Sequence, residues 1–191
     1  MPLSVRLFLA LLAAVGIGRL VEMRISRERQ RAMAARGATR APEPGFILMV
    51  LLHTGVLVAA ALEVTLLDRP FRAAVAIPAL VLVVLANALR WWVIGTLGPH
   101  WNVQVMRSTA LGVVSSGPYR SVRHPNYVAV FVELAALPLV HGAWLTAVVG
   151  TLLHIPVLRR RIALEESVLL ADEGYRRAMA GKPRFLPWPT S

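Results

Sequence analysis

"YVAVFVELAALPLVHGAWLTAVVGTLLHIPVL", Tyr127 to Leu158, is the stretch that decides the fold. Two apolar runs, Tyr127 to Val140 and Ala143 to Leu158, meet at His141-Gly142, with Pro138 just ahead. That junction reads as a tight turn. As helix the runs reach only about 21 and 24 Å, against a hydrocarbon core of about 30 Å. The pair therefore reads as a helical hairpin that spans with help from its flanks or sits partly inside protein. A carboxylate, Glu133, stands mid-run, where burial is costly and normally answered by a cavity or a partner.

Three longer apolar segments precede the hairpin: Leu3 to Val21, Phe46 to Leu67 and Ala73 to Leu97. The first could open a cleaved signal peptide, but the basic stretch Arg24 to Arg40 resists translocation and predicts a retained helix. Pro78 falls in the first turns of the third and is expected to kink it. The expected architecture is an all-α integral membrane protein of about five membrane helices, the last two a short hairpin. It forms one domain, 1–191, with three helices in 1–97 and the chemistry in 98–191.

The 191 residues are 57% hydrophobic and 16% charged, which places the chain in the membrane class. Its mean hydropathy is +0.61. The net charge of +11 comes from arginines that flank apolar segments, so it reads as topology and lipid contact rather than nucleic-acid binding. With no cysteine, thiolate metal sites and cysteine nucleophiles are excluded.

Arginines crowd the first loop (Arg24 to Arg40), the third (Arg107, Arg120, Arg123) and the tail (Arg159, Arg160, Arg161), whereas the second holds only Arg69 and Arg72 beside Asp68. The positive-inside rule puts the N-terminus outside a membrane, expected to be a bacterial inner membrane. Two polar blocks, Gly98 to Asn126 and Arg159 to Trp188, then face the cytoplasm together. The tail from Arg159 to Ala180 is amphipathic and predicts a helix along the headgroups, bent or ended near Gly174. "KPRFLPWP" after it reads as extended, with Trp188 at the interface.

In the first block, Gly117-Pro118 and His124-Pro125 are stiff turns. They would hold Tyr119, Arg120, Arg123, His124, Asn126 and Tyr127 at a helix entrance, where free backbone N–H groups suit anions. Read alone, they equally well start a helix and anchor it to lipid. In the second, Arg161 and Glu165 share a helix face and Glu166 follows. That arrangement binds a ligand or forms a solvated charged face. Glu133 is either a general base or the partner of Asn87, Arg90 or His154. No HExxH, GxGxxG or GxSxG motif is present, and the histidines have no metal-ligand spacing.

Arg123-His124-Pro125-Asn126-Tyr127, the pair Glu165-Glu166, Tyr175, and Arg184-Phe185-Leu186-Pro187 together resemble the isoprenylcysteine carboxyl methyltransferase family. The resemblance covers about the C-terminal half, from Arg90. It implies a membrane enzyme that uses S-adenosylmethionine (SAM), held on the cytoplasmic side by Gly117, Tyr119, Arg123, His124, Pro125, Tyr127, Glu165, Glu166 and Tyr175. A lipid-like acceptor would enter sideways from the bilayer. "LRWWVIGTLGPHWNVQV" and the segment around Glu133 are similar to a bacterial branch that accompanies type III polyketide synthases and is associated with O-methylation of alkylpyrones or alkylresorcinols. That implies acceptor contacts at Arg90, Trp101 and Asn102, and catalytic roles for Glu133, Arg161 and Glu165. A phenol, with pKa near 10, needs a base, and a carboxylate acceptor does not. Glu133 as base therefore favours a hydroxyl acceptor. Carboxyl methylation of a prenylcysteine-like acid is the second reading. A non-catalytic transport or binding module is the third, with Glu63, Arg90 and Glu133 at membrane depth as a path. The absence of an inverted repeat argues against it.

Overall fold

A computed structural model describes residues 1–107 and 112–187, and Trp188 lies outside them. Helix α1 (Leu3–Ala34) runs well past its apolar start. Its basic half stays helical because Glu22, Ser26 and Met33 turn inward and are buried, while Arg24, Arg27 and Arg31 face out. Helices α2 (Phe46–Leu66) and α3 (Ala73–Leu97) fall where the apolar runs place them, with Pro78 inside α3. These three are long and apolar enough to cross a membrane. Helix α4 (Pro125–Ala136) has 12 residues, about 18 Å, and is not. A 3-10 turn, Pro138–His141, follows, and the chain reverses at Gly142 (φ 74°) into α5 (Trp144–Leu169).

Helix α4 packs mainly on α3, and α5 on α2 and α4. Small residues make this possible. Ala60 and Ala143 are fully buried, Ala79 and Ala136 nearly so, and a Cβ on Gly150 would come within 2.7 Å of Val56. Close backbone approach of this kind drives association where lipid is already apolar. The opposite faces carry exposed Leu51, Val58, Leu62, Leu85 and Leu152, a surface suited to acyl chains rather than water.

At one end of the bundle the start of α1, the α2–α3 loop and the hairpin turn converge on His141, whose ring lies 5.6 Å from Phe8 and 5.7 Å from Phe71. Glu63, near the end of α2, tops α5 there. It accepts from the Thr146 N–H (2.7 Å), the Thr146 hydroxyl (2.8 Å), the Leu145 N–H (3.2 Å) and Arg69 (3.0 Å). A carboxylate supplied from another helix thus satisfies two of the orphan donors of α5. This gives Glu63 a structural partner set in place of a transport path. Glu63→Ala is expected to cost about 1–3 kcal/mol in thermal unfolding in detergent, without change in cofactor affinity where the variant is folded.

The other end holds both polar blocks. A two-stranded antiparallel ribbon, β1 (Thr39–Arg40) and β2 (Met106–Arg107), ties the first loop to the third. Past its apolar run α5 continues to Leu169, then breaks at Leu170 to Asp172 before α6 (Glu173–Met179). The break precedes Gly174, where the sequence had placed it. The Asp172 side chain accepts from the Tyr175 N–H at 2.8 Å and caps the new helix, so Gly174 sits inside α6. The non-helical tail returns to the first block: Arg123 N–H donates to Pro183 (2.9 Å) and His124 N–H to Arg184 (2.8 Å).

Candidate active site

A cavity of about 540 Å³ opens where the two polar blocks meet, and all six helices contribute to its wall. Its polar end is built on the entrance of α4. His124 precedes the helix, Pro125 occupies the first position with its φ already helical, and Tyr127 follows on the first turn. The Tyr127 hydroxyl donates to Glu165 and accepts from Arg161 Nε at 3.0 Å. Arg161 also donates to the Val103 carbonyl at 2.7 Å and pairs with Glu43. Glu43 accepts from the Val105 N–H at 3.2 Å, so a chain Glu43–Arg161–Tyr127–Glu165 crosses three polar segments.

Glu165 and Glu166 part company. Glu165 lines the cavity. Glu166, one residue on and about 100° round the helix, points behind it. There it accepts two hydrogen bonds from Arg184 (3.0 and 2.6 Å) and one from His124 Nε2 (3.0 Å), with Arg123 at 3.4 Å. The Arg184 hydrogen bonds, then those of His124 and the charge of Arg123, hold its carboxyl down to about 2. The carboxylate form is thus favoured by folding. Its contribution is complete above the ordinary value of about 4.5 and is lost as pH falls from there toward 2. Half-exposed Arg184 screens part of it, so Arg184→Ala should cost only about 1 kcal/mol at neutral pH. The same substitution should move the acid limb of thermal unfolding to higher pH, read between pH 5 and 2.5.

Tyr119, Arg123, His124, Tyr127, Glu165 and Tyr175, expected at a cofactor site, all line the cavity. Gly117, Pro125 and Glu166 do not, and each is explained by what it does instead. Gly117 takes φ 55°, and a Cβ on it would fall 2.6 Å from the Thr96 hydroxyl, so glycine lets the turn close on α3. Pro125 shapes the helix entrance, and Glu166 braces His124 from behind. Burial, and then the charge of Glu165, raise the phenols of Tyr119 and Tyr175, the latter to about 12. They stay neutral, which suits a sulfonium cation lying against aromatic faces near a carboxylate. The set fits SAM in size and donor chemistry.

Arg90, Trp101, Asn102 and Arg161, the other expected contacts, also line the cavity. Arg90, however, is committed: its Nη1 donates to Glu22 at 3.2 Å. Glu133 is not among the lining residues, contrary to its expected place beside an acceptor. Its Oε2 accepts from Asn87 (2.9 Å) and Arg19 (3.2 Å) and lies 3.9 Å from Arg90 Nε. Two guanidiniums and an amide surround it at a helix junction, which is the pairing alternative. Sequence reasoning missed Arg19, Glu22 and Glu43. The signal for Glu43 was present: it is a lone acid between prolines, "APEPG", in a basic loop.

The uncharacterized protein YpbQ of Bacillus subtilis (strain 168) is 27% identical over 164 residues, 85% of this chain and 96% of that protein. An uncharacterized protein of Haemophilus influenzae is 29% identical over 152 residues, 79% of this chain and 88% of that one. The structure of the eukaryotic intramembrane Ras methyltransferase ICMT superposes with a TM-score of 0.52 at 26% identity, over 68% of this chain. The chain spans about half of that enzyme's length, 48%. The model of the isoprenylcysteine carboxyl methyltransferase (ICMT) family matches residues 79–171, which include α4, Arg161 and the Glu165-Glu166 pair. Over those residues, just under half of its length, this mostly helical chain is similar to the isoprenylcysteine carboxyl methyltransferase family, whose enzymes use SAM.

Proposed function

We propose that the chain is an integral-membrane, SAM-dependent O-methyltransferase whose acceptor is a neutral, hydroxyl-bearing, lipid-like molecule of the alkylpyrone or alkylresorcinol kind. The observation that carries this reading is one cavity that joins Glu165 and the neutral tyrosines to a wall inside the helix bundle. SAM, when bound, supplies an electrophilic methyl group. Tyr119, His124, Tyr127, Glu165 and Tyr175 would hold it. Arg161, fixed by Glu43 and Val103, keeps Tyr127 oriented so that its hydroxyl donates to Glu165.

Glu165 takes the acceptor's proton. Of the carboxylates lining the cavity, Glu22 is bound by Arg19 (2.8 Å) and Arg90, whereas Glu165, among the described residues, accepts from the neutral Tyr127 phenol, with Tyr119 and Tyr175 nearby and the Arg161 guanidinium one residue removed. This moves the base role from Glu133 to Glu165. The lining arginines discriminate the acceptor class. Arg19, Arg90, Arg123 and Arg161 each already pair with a carboxylate. A carboxylate acceptor would have to break one of these pairs, and a hydroxyl needs only a proton acceptor. Carboxyl methylation of a prenylcysteine-like acid remains the second reading, favoured by the family and by the solved relative that methylates Ras. The arginine distribution supports an N-terminus outside, with this site facing the cytoplasm across a bacterial inner membrane.

The test supplies labelled SAM and detergent-purified protein with two acceptors, a long-chain alkylphenol and a prenylated thioether carboxylate. Label should pass to the phenol. Transfer to the carboxylate alone would overturn the hydroxyl reading.

A further inference from the structure

Two histidines in the cavity wall have no part in the site described above. His154, on α5, is 1% exposed, and neither ring nitrogen has a hydrogen-bond partner among the described residues. Its ring meets that of His53, on α2, edge to face at 5.1 Å. His53 Nδ1 lies 2.7 Å from the Met49 carbonyl. A carbonyl only accepts, so Nδ1 carries the hydrogen and Nε2 is left as a bare lone pair. Both rings line the same cavity as Arg161 and Glu165. An imidazole buried without partners is a cost to the folded protein, and a histidine kept only for packing would be served as well by leucine or phenylalanine.

Spacing says what reaches them. His154 lies seven residues before Arg161 on α5, two turns and about 10 Å deeper on the same face. A six-membered ring with an oxygen at each side and a hydrogen bond at each end fills a gap of that order. Together the pair offers an acceptor at His53 and a donor at His154, the complement of a hydroxyl or an enolic oxygen.

We propose that His53 and His154 form a second polar subsite that holds a non-reacting hydroxyl or carbonyl oxygen of the acceptor, selecting ring acceptors with two oxygens. This rests on the hydroxyl-acceptor reading and specifies the acceptor further. The reacting oxygen stays where Arg161, Tyr127 and the Glu165 carboxylate meet, and the second is recognised two turns below Arg161.

The experiment measures binding rather than turnover, so that it stands apart from the catalytic reading. A long-chain alkylresorcinol, with two ring hydroxyls, and the matching alkylphenol, with one, are titrated into detergent-purified protein holding S-adenosylhomocysteine. Wild type should bind the dihydric probe about tenfold more tightly, the scale of one buried hydrogen-bonded group. His154→Leu and His53→Leu should each remove that preference, leave the monohydric probe within about twofold, and leave S-adenosylhomocysteine affinity unchanged. His154→Asn, which restores a donor and an acceptor, should recover part of it. Should His154→Leu not fold, as judged by S-adenosylhomocysteine binding, the His53→Leu and His154→Asn proteins give the same comparison. Equal affinity of wild type for the two probes, or equal loss of both in the variants, overturns the subsite and leaves the pair as water-filled or packing residues. Selective binding without methyl transfer to either probe overturns the hydroxyl-acceptor chemistry instead.

Discussion

Glu165→Gln is expected to lower kcat by about two to four orders of magnitude with a phenolic acceptor, the range for loss of a positioned general base. The amide keeps the shape of the side chain and can still accept from the Tyr127 hydroxyl, so cofactor affinity should fall far less than turnover. Glu133→Gln should behave in the opposite way. It removes one anion from the group Arg19, Glu22, Arg90 and Glu133, whose side chains are 22%, 5%, 7% and 10% exposed. Stability should therefore drop while kcat stays within about threefold, because Glu133 does not line the cavity. Single-turnover kinetics on both variants, paired with SAM titration and thermal unfolding, separates the roles. Normal turnover by Glu165→Gln and a large loss in Glu133→Gln would return the base role to Glu133.

Arg90→Met should be the most destabilising single change in the bundle, at about 3–5 kcal/mol, the scale for taking one charge out of a buried ionic group and leaving two carboxylates to share one guanidinium. Arg90 crosses from α3 to α1, donating to Glu22, and stands 3.9 Å from Glu133 on α4. Its removal leaves Arg19 as the one guanidinium between two carboxylates, at 2.8 Å from Glu22 and 3.2 Å from Glu133. The double change Arg90→Met with Glu22→Met should recover much of the loss, since removing both members of a buried pair can be close to neutral. Thermal unfolding of the singles and the double in one detergent reads this coupling directly. Additive losses would show that the pair makes no shared contribution.

Much of the fold was legible in the sequence because its cause is local. Helix α3 begins at Ala73 and ends at Leu97, as the apolar run does, and the hairpin turn falls on Pro138 to Gly142. The amphipathic half of α1 looks like a basic loop in sequence because charge density hides three inward residues, Glu22, Ser26 and Met33, among arginines. The site was legible in its residue types more than in their directions. Adjacent carboxylates at 165 and 166 point about 100° apart on a helix, and only the position of Arg184 shows which turns away from the cavity. The partners of Glu133 come from α1 and α3, with Arg19 114 positions away, so no window along the chain could contain them. Glu43 and Glu63 are the same case: each is an isolated acid whose purpose appears only when Arg161 or the start of α5 arrives beside it.

The central claim is that the tyrosines, His124 and Glu165 form a SAM pocket. The most direct test is calorimetric titration of SAM into detergent-purified wild type and into His124→Ala. The account predicts saturable micromolar binding to wild type, weakened at least about tenfold when the His124 contact to Glu166 and the cavity wall is removed. A folded wild-type protein that takes up no SAM, or a His124→Ala protein that binds it as tightly as wild type, would contradict it.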